Sequence, residues 1–321
     1  SRDTIYLKLM DTTIASTDAM RKQLIRKLLP SAMAIEDSNL ISYFQYSFQL
    51  PVTKKMDEAS KKQLYKPIQQ TIKKIAINLE RLRWLPTQLD TTYALVNVPA
   101  MEFYLCKQTN VDFEMRVVVG KKDRPTPSLA TRMTSILFNP YWGVPPTIMK
   151  KDVLPGITKS GENYLIEKDL KVFTKTGKEI PRSKVTPKNY NNYIYRQDPG
   201  DLNSLGVIKF NMPNKYDIYL HDTPHKEDFP NRDRARSSGC IRAHKPKELA
   251  LFILNNYEQN TIDANKVDSI IAKRKSLIIS LKHKIPVHIV YLTSFMDSTL
   301  KEVRFLNDVY KRDTSFKNYF N

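Results

Sequence analysis

Two short runs hold the residue types needed for nucleophilic chemistry. They are Tyr219-Leu-His221-Asp222-Thr-Pro and, after a basic loop, Ser237-Ser238-Gly239-Cys240-Ile-Arg242. Cys240 is one of only two cysteines in the chain. A free thiol has a pKa of about 8.5, so only a few per cent is thiolate at neutral pH. An imidazole within hydrogen-bond reach can take the proton, which makes His221 the candidate general base. Gly239 lets the backbone turn sharply and lets a substrate approach the amides of Gly239 and Cys240. Those amides can hold the oxyanion of an acyl-transfer intermediate. The plain alternative is a small buried thiol and a satisfied polar histidine.

The flanking pattern favours chemistry. Asp217 to His221 alternates as a strand and ends at a Thr-Pro turn, which delivers His221 to a strand end. Lys245 to Leu254 reads as a helix, so Cys240 is expected on a loop shortly before a helix start. There, backbone amides and the helix dipole favour a thiolate. Tyr219 lies two residues before His221 and shares its face of the strand. It is a candidate hydroxyl donor to the oxyanion, or else a core tyrosine. Arg242 can grip a substrate carboxylate with its planar fork, or brace the loop through carbonyls, or both. Ser237 and Ser238 flank the nucleophile as loop-stabilising and substrate-binding candidates. Trp142, in Asn139-Pro-Tyr-Trp142, either lines the groove or plugs the core. His225 is expected at the surface. Cys106 sits in an alternating strand and reads as a buried structural thiol. Its pairing with Cys240 is disfavoured because a disulfide would silence the nucleophile.

His221 with Ser-x-Gly-Cys-Ile-Arg resembles the signature of the L,D-transpeptidases, cysteine enzymes that cross-link bacterial peptidoglycan. The likeness extends to the large periplasmic branch of the YcbB type. It is carried by Leu82-Arg-Trp-Leu-Pro86, Tyr93-Ala-Leu-Val-Asn-Val-Pro-Ala100, Val117-Val-Val-Gly120 and Phe138-Asn-Pro-Tyr-Trp-Gly-Val-Pro-Pro146. Lys151-Asp-Val-Leu-Pro155, Arg196-Gln-Asp-Pro-Gly200 and Lys209-Phe-Asn-Met-Pro-Asn214 follow in the same order. The resemblance implies a two-step acyl transfer through a thioester on tetrapeptide stems, giving 3→3 cross-links. It implies peptidoglycan peptide stems as partners, carbapenems as inhibitors, and a periplasmic or envelope location after export. A membrane tether would lie outside the present chain. It also implies that the backbone carbonyl of Asp222 orients the imidazole. The Asp222 side chain is less favoured, since a neighbouring carboxylate seldom folds back onto the preceding ring. Ser238 departs from the many relatives that carry a second histidine there, which leaves His221 as the base nearest in sequence. No metal or organic cofactor is required by such a scheme. With water or a lipoprotein lysine as acceptor, the same site would be an L,D-carboxypeptidase or an anchoring enzyme. A non-catalytic wall-binding scaffold is the reading from another class.

Length and charge bound these readings. A chain of 321 residues with 41% hydrophobic content can bury a core. No run approaches the ~18 uncharged apolar residues of a membrane span, and the opening Ser1-Arg-Asp-Thr has no signal-like apolar core. The net charge of +19 is spread along the chain. It suits a solvated surface or attraction to an anionic polymer. Nucleic acid is not expected, because zinc spacing, heptads and an aromatic RNP-like strand are all missing from the sequence.

The expected fold class is α+β. A β-rich L,D-transpeptidase catalytic domain over residues 84–312 would carry a capping insert at about 151–206, where alternation gives way to Lys, Asn, Gly and Pro. That insert is expected to be a mobile cover. Before it come a helical scaffold remnant at 1–37 and a helical module with linker helix at 38–83. The module resembles a worn peptidoglycan-binding domain in which Lys54-Lys-Met-Asp57 replaces the usual Asp-Gly turn. Both a wall-binding and a structural role stay open for it. In its last helix, Ile72, Ile75, Leu79 and Leu82 recur at helical spacing and are expected in the core. Strands are expected at Tyr93–Val98, Met101–Cys106, Glu114–Val119, Ser135–Phe138 and Pro286–Ser294, in an antiparallel sheet. Residues 313–321 form a tail.

Overall fold

The computed structural model describes residues 18–258, 262–297 and 301–316. Expectations for residues 1–17 and 317–321 lie outside the described residues. The chain divides into a helical unit, built from residues up to Gln88 plus Tyr291 onward, and a β unit over Leu89–Val290. No described helix is long and apolar enough to cross a membrane.

In the helical unit, α1 (Asp18–Leu28), α2 (Asp37–Ser47), α3 (Glu58–Leu64) and α4 (Ile68–Leu82) follow one another. Ile25, Leu29, Leu40 and Phe44 form its fully buried centre, joined by Phe48 and Phe305 in a stacked ring pair. Where the peptidoglycan-binding pattern has its glycine turn, Lys54 adopts a left-handed φ of 61°. Buried Gln45 ties this loop down, donating to Thr53 Oγ1 and the Lys55 carbonyl. Asp57 caps α3 by accepting from the Ser60 amide at 2.8 Å. The loop thus forms without the glycine, and the Phe44-Gln45 pair acts as its internal brace.

Two expectations fail in this unit for one reason. Ile72, Leu79 and Leu82 are exposed rather than core, whereas Ile77, Asn78 and Arg81 are buried. The chain returns after the β unit and packs a polar network on that other face. Asn78 Nδ2 donates to Thr293 Oγ1 and Asn78 Oδ1 accepts from the Thr293 amide, both at 2.8 Å. Arg81 forms an ion pair with Asp313 at 2.6 Å. Residues from Tyr291 onward therefore belong with the helices, and the β unit ends earlier than the expected limit at 312.

The β unit contains β1 (Thr92–Asn97), β2 (Glu102–Lys107), β3 (Asn110–Gly120), β4 (Leu129–Phe138) and β5 (Trp142–Gly143). Next come α5 (Leu154–Ser160), α6 (Glu162–Glu167), β6 (Lys171–Thr174), β7 (Glu179–Ile180) and β8 (Tyr193–Gln197). Then follow β9 (Ile208–Asn211), β10 (Leu220–His221), β11 (Ala235–Ser237), β12 (Ile241–Ala243), α7 (Pro246–Asn256), α8 (Ala264–Ala272) and β13 (Leu277–Val290). The main sheet runs β11-β3-β12-β10-β9-β4-β13-β1-β2, and the β2–β3 hairpin closes a ring from β3 to β2, with β11 paired to β3 outside it. Closure leaves few free edges. The sheet is mixed, not antiparallel: β1–β13, β10–β12 and β11–β3 are parallel pairs. The long β3 makes this arrangement work, because its first half pairs β2 and its second half β12 and β11.

The insert expected to be mobile cover has its own core. Strands β5-β8-β6-β7 form a second sheet, so the subdomain begins at Trp142 rather than near 151. Leu165, Val172 and Tyr195 are buried in it together with Val153 and Ile157. Two-residue periodicity was lost there because much of the segment is helical turns and short strands.

Candidate active site

Strand register builds the site. Leu220 of β10 lies opposite Phe210 of antiparallel β9 and Ile241 of parallel β12. All three are buried, and each such side chain is worth roughly 1.5–3 kcal/mol of burial. The next register positions are His221, Lys209 and Arg242. Successive side chains on a strand point to opposite faces. The apolar trio therefore anchors the strands, while Lys209, His221 and Arg242 share the other face. Tyr219 and Cys240 lie two residues before His221 and Arg242 and continue that face. The Tyr219 and His221 rings meet edge-on with centroids 5.5 Å apart.

His221 is buried, and its Nδ1 lies 2.5 Å from the Asp222 carbonyl. A carbonyl only accepts, so Nδ1 carries the proton and Nε2 is left with its lone pair. The imidazole pKa is pushed down to about 3, chiefly by burial, then by the Arg242 guanidinium, with a smaller effect from Lys209. The Asp222 carbonyl and the Leu205 backbone pull the other way. The ring is neutral at physiological pH. The Asp222 carboxylate faces away from this chemistry. It accepts from the Val207 amide at 2.9 Å and pairs with Lys226. Gly206, at φ 59°, passes so close to that carboxylate that a Cβ would overlap it. This clamp holds the loop on which Leu205 approaches the imidazole.

Cys240 is partly exposed and both cysteines are free thiols, with Cys106 buried in β2. Burial raises the Cys240 thiol pKa, while Tyr219, through both its backbone N–H and its side chain, and the charge of Lys209 oppose that rise. Sγ also donates to the Asp217 carbonyl at 3.6 Å. The Tyr219 hydroxyl pKa is pushed up by burial and by the neighbouring Cys240, and Trp142 donates a hydrogen bond to it. Trp142 thus comes to the site from the capping sheet. The Lys209 ammonium sits 4.1 Å from the Tyr219 ring centroid.

Several sequence expectations need correction here. Cys240 precedes strand β12 and not a helix, since α7 starts only at Pro246. The helix dipole is too remote to act on the thiol, because its effect is confined to the first turn. The Gly239 amide, put forward for the oxyanion, donates to Ser237 Oγ at 3.1 Å, with Gly239 at φ 119°. Ser237 is buried and also donates to the Cys240 carbonyl at 2.6 Å, so it shapes the loop instead of meeting substrate. Ser238 is exposed and accepts from Arg124 at 2.8 Å. Arg242 donates to the Asp228 carboxylate at 3.0 Å, a carboxylate brace where carbonyls were expected. His225 is exposed beside Glu227, at the surface as expected.

Two residues went unnoticed in the sequence. Lys209 had a signal, a charged residue between buried Ile208 and Phe210. Arg124 had none locally. Its guanidinium grips Asp152 of the capping segment through two bonds, at 2.5 and 2.8 Å, and Ser238 through a third. Thr126, on the same loop, accepts from the Gly120 amide and donates to the Gly239 carbonyl.

The chain matches the L,D-transpeptidase catalytic domain family, YkuD, over residues 91–268. It is 31% identical over 228 residues to a Haemophilus influenzae protein named "Putative L,D-transpeptidase", covering 70% of this chain and 45% of that protein. The chain thus spans under half the length of that relative. Among solved structures, an L,D-transpeptidase from Mycobacterium smegmatis is similar at 14% identity and a TM-score of 0.29, covering 62% of this chain and 58% of that one. The catalytic domain of the Enterococcus faecium L,D-transpeptidase acylated by ertapenem is similar at 12% identity and a TM-score of 0.30, covering 63% and 99%. Superpositions this loose carry no weight beside the sequence match. On that match, which takes in both halves of the candidate site, the chain belongs to the YkuD family of L,D-transpeptidase catalytic domains.

Proposed function

We propose that the chain is a cysteine L,D-transpeptidase acting on peptidoglycan stems, with Cys240 as nucleophile and His221 as proton carrier. One observation supports the reading most: register brings thiol, neutral imidazole, tyrosine and two cations to a single face of β9, β10 and β12. Cys240 Sγ attacks the carbonyl of the third residue of a tetrapeptide stem. The thiol proton passes to His221 Nε2 as the S–C bond forms, and His221 then delivers it to the leaving amine as the C–N bond to the terminal D-alanine breaks. An amine of a second stem then attacks the thioester and His221 takes its proton. The new C–N bond is a 3→3 cross-link, and the departing sulfur recovers its proton from His221. The Cys240 amide and the Tyr219 hydroxyl are the oxyanion donors in this scheme. Arg242, held by Asp228, offers its remaining N–H groups to a substrate carboxylate. Such a substrate places the protein in the periplasm or cell envelope.

The test is intact-mass analysis after incubation with a carbapenem, followed by product analysis with purified tetrapeptide muropeptides. A covalent adduct lost in Cys240→Ala and a cross-linked dimer are expected. Tripeptide alone would make the protein an L,D-carboxypeptidase. The absence of any adduct on folded, reduced protein would refute the nucleophile assignment.

A further inference from the structure

An amide that meets a developing oxyanion has to be aimed before the substrate arrives. The Cys240 N–H, a donor in the scheme above, belongs to the peptide unit that joins Gly239 to Cys240. A trans peptide is planar, with its C=O and N–H pointing in opposite directions. Whatever grips the Gly239 carbonyl therefore sets the direction of the Cys240 N–H. That grip comes from Thr126, whose Oγ1 donates to the Gly239 carbonyl at 2.7 Å. A carbonyl only accepts, so the single hydroxyl proton is committed there. The oxygen accepts in turn from the Gly120 amide at 2.8 Å, which fixes the hydroxyl from its other side. Thr126, Gly120 and Gly239 are all buried, so losing the hydroxyl would leave two buried backbone groups without this partner.

The chain is shaped to bring Thr126 to this point. Gly120 ends β3 beside Ser237 of β11. The Arg124 carbonyl and the Thr126 amide pass so close to Gly120 that a Cβ would overlap both. The peptide units on either side are held as well. The Gly239 amide donates to Ser237 Oγ at 3.1 Å, and that hydroxyl donates to the Cys240 carbonyl at 2.6 Å. The Ile241 amide donates to the Tyr219 carbonyl at 3.0 Å. The Cys240 N–H has no partner among the described residues. We propose that Thr126 is a positioning residue for acyl transfer, which aims the Cys240 amide at the oxyanion by holding the Gly239 carbonyl. This rests on the assignment of Cys240 as nucleophile. Thr126 acts through the backbone and not on the sulfur.

Two reagents separate that role from a merely structural one. A carbapenem is attacked at its lactam carbonyl: the S–C bond forms, the ring C–N bond opens, and the thiol proton ends on that nitrogen, so an oxyanion develops on the way. Iodoacetamide is attacked at a saturated carbon, where the S–C bond forms, iodide leaves and the thiol proton goes to solvent, with no such oxyanion. Both would be followed on the whole chain, with peptide mass mapping to separate Cys240 from buried Cys106. We expect Thr126→Val to slow carbapenem acylation by about tenfold or more, since an oxyanion donor is worth about 10²–10³ in rate. Its iodoacetamide rate and pH midpoint should stay within about twofold and a few tenths of a unit of wild type. Thr126→Ser keeps the hydroxyl and should restore acylation. If the valine variant does not fold, Thr126→Ala carries the same test, because it removes the hydroxyl without pressing a methyl on the Gly239 carbonyl. Acylation unchanged in the hydroxyl-free variant would overturn the proposal, as would an equal loss with both reagents or a serine variant that is not rescued. A wild-type protein that forms no carbapenem adduct at Cys240 would instead sink the nucleophile assignment, and the proposal with it.

Discussion

The neutrality of His221 can be weighed through stability. The imidazole has a folded pKa of about 3 against 6.5 for the free side chain. Above pH 6.5 neither the folded nor the unfolded chain holds this proton. As pH falls below 6.5 the unfolded chain binds it and the folded one does not, so folding loses about 1.4 kcal/mol per pH unit. Between pH 6.5 and 4.5 this amounts to roughly 2–3 kcal/mol, and the loss would continue toward the folded pKa. Carboxylates with lowered pKa, such as Asp198, add their own loss at the acid end. A His221→Gln variant shares those carboxylates and lacks the imidazole, so the wild-type minus variant difference isolates His221. The chain has two tryptophans, Trp84 in the helical unit and Trp142 in the β unit. A Trp84→Phe background makes fluorescence in urea report the β unit alone. The difference in unfolding free energy should shrink steadily from pH 6.5 to 4.5. A flat difference, or one that grows as pH falls, would mean that the folded state accepts the proton. An imidazolium would then be part of the resting site, and burial beside Arg242 and Lys209 would not be keeping the ring neutral.

Gly206→Ala forces a Cβ into the Asp222 carboxylate from a left-handed backbone. We expect a loss of about 2–4 kcal/mol in denaturant unfolding, with slower carbapenem acylation as the His221 carbonyl partner shifts. Arg124→Ala removes the grip on Asp152 and Ser238 together, which should cost about 2 kcal/mol and slow acylation about tenfold. Arg124→Lys should rescue little, because a point charge cannot span both carboxylate oxygens and the hydroxyl. In the helical unit, Arg81→Met strands Asp313 beside Thr293, and a melting transition of that unit lowered by about 3 kcal/mol is expected.

What could be read from the chain follows the range of the interactions. Tyr219 and His221, or Cys240 and Arg242, share a face by local alternation, and Gly239 at positive φ is the turn its residue type suggests. Local pattern could not say that β10 and β12 run parallel with His221 opposite Arg242, nor that Lys209 completes the row on β9. Those are pairings between segments far apart in sequence. For the same reason Arg124, whose partners lie at Asp152 and Ser238, looked like one more surface charge. The stripe on α4 misled in the opposite sense. Ile72, Leu79 and Leu82 have the periodicity of a core face, but the returning chain offers Thr293 and Asp313 to Asn78 and Arg81 instead. Buried polar groups with complete partners can outweigh an apolar stripe that finds none.

The placement of the capping subdomain also bears on catalysis. Trp142 opens its sheet and donates to the Tyr219 hydroxyl, while Asp152 is held by the arginine that also binds Ser238 beside the nucleophile. The cover is therefore tied to the site twice, through Tyr219 beside His221 and through Arg124 to Ser238. A substrate that displaced either contact would change the setting of the thiol as well as its access. Tyr219 has two partners of its own, with Lys209 on its ring and Trp142 at its hydroxyl. Tyr219→Phe keeps the ring and removes only the hydroxyl. It should raise the pH at which Cys240 is alkylated, because the side chain's bond to the sulfur opposes the rise in the thiol pKa, and it should weaken the oxyanion site. Alkylation shifted to higher pH together with acylation slowed by about 10²-fold or more is the outcome these two roles require, and an unmoved midpoint would refute the first of them.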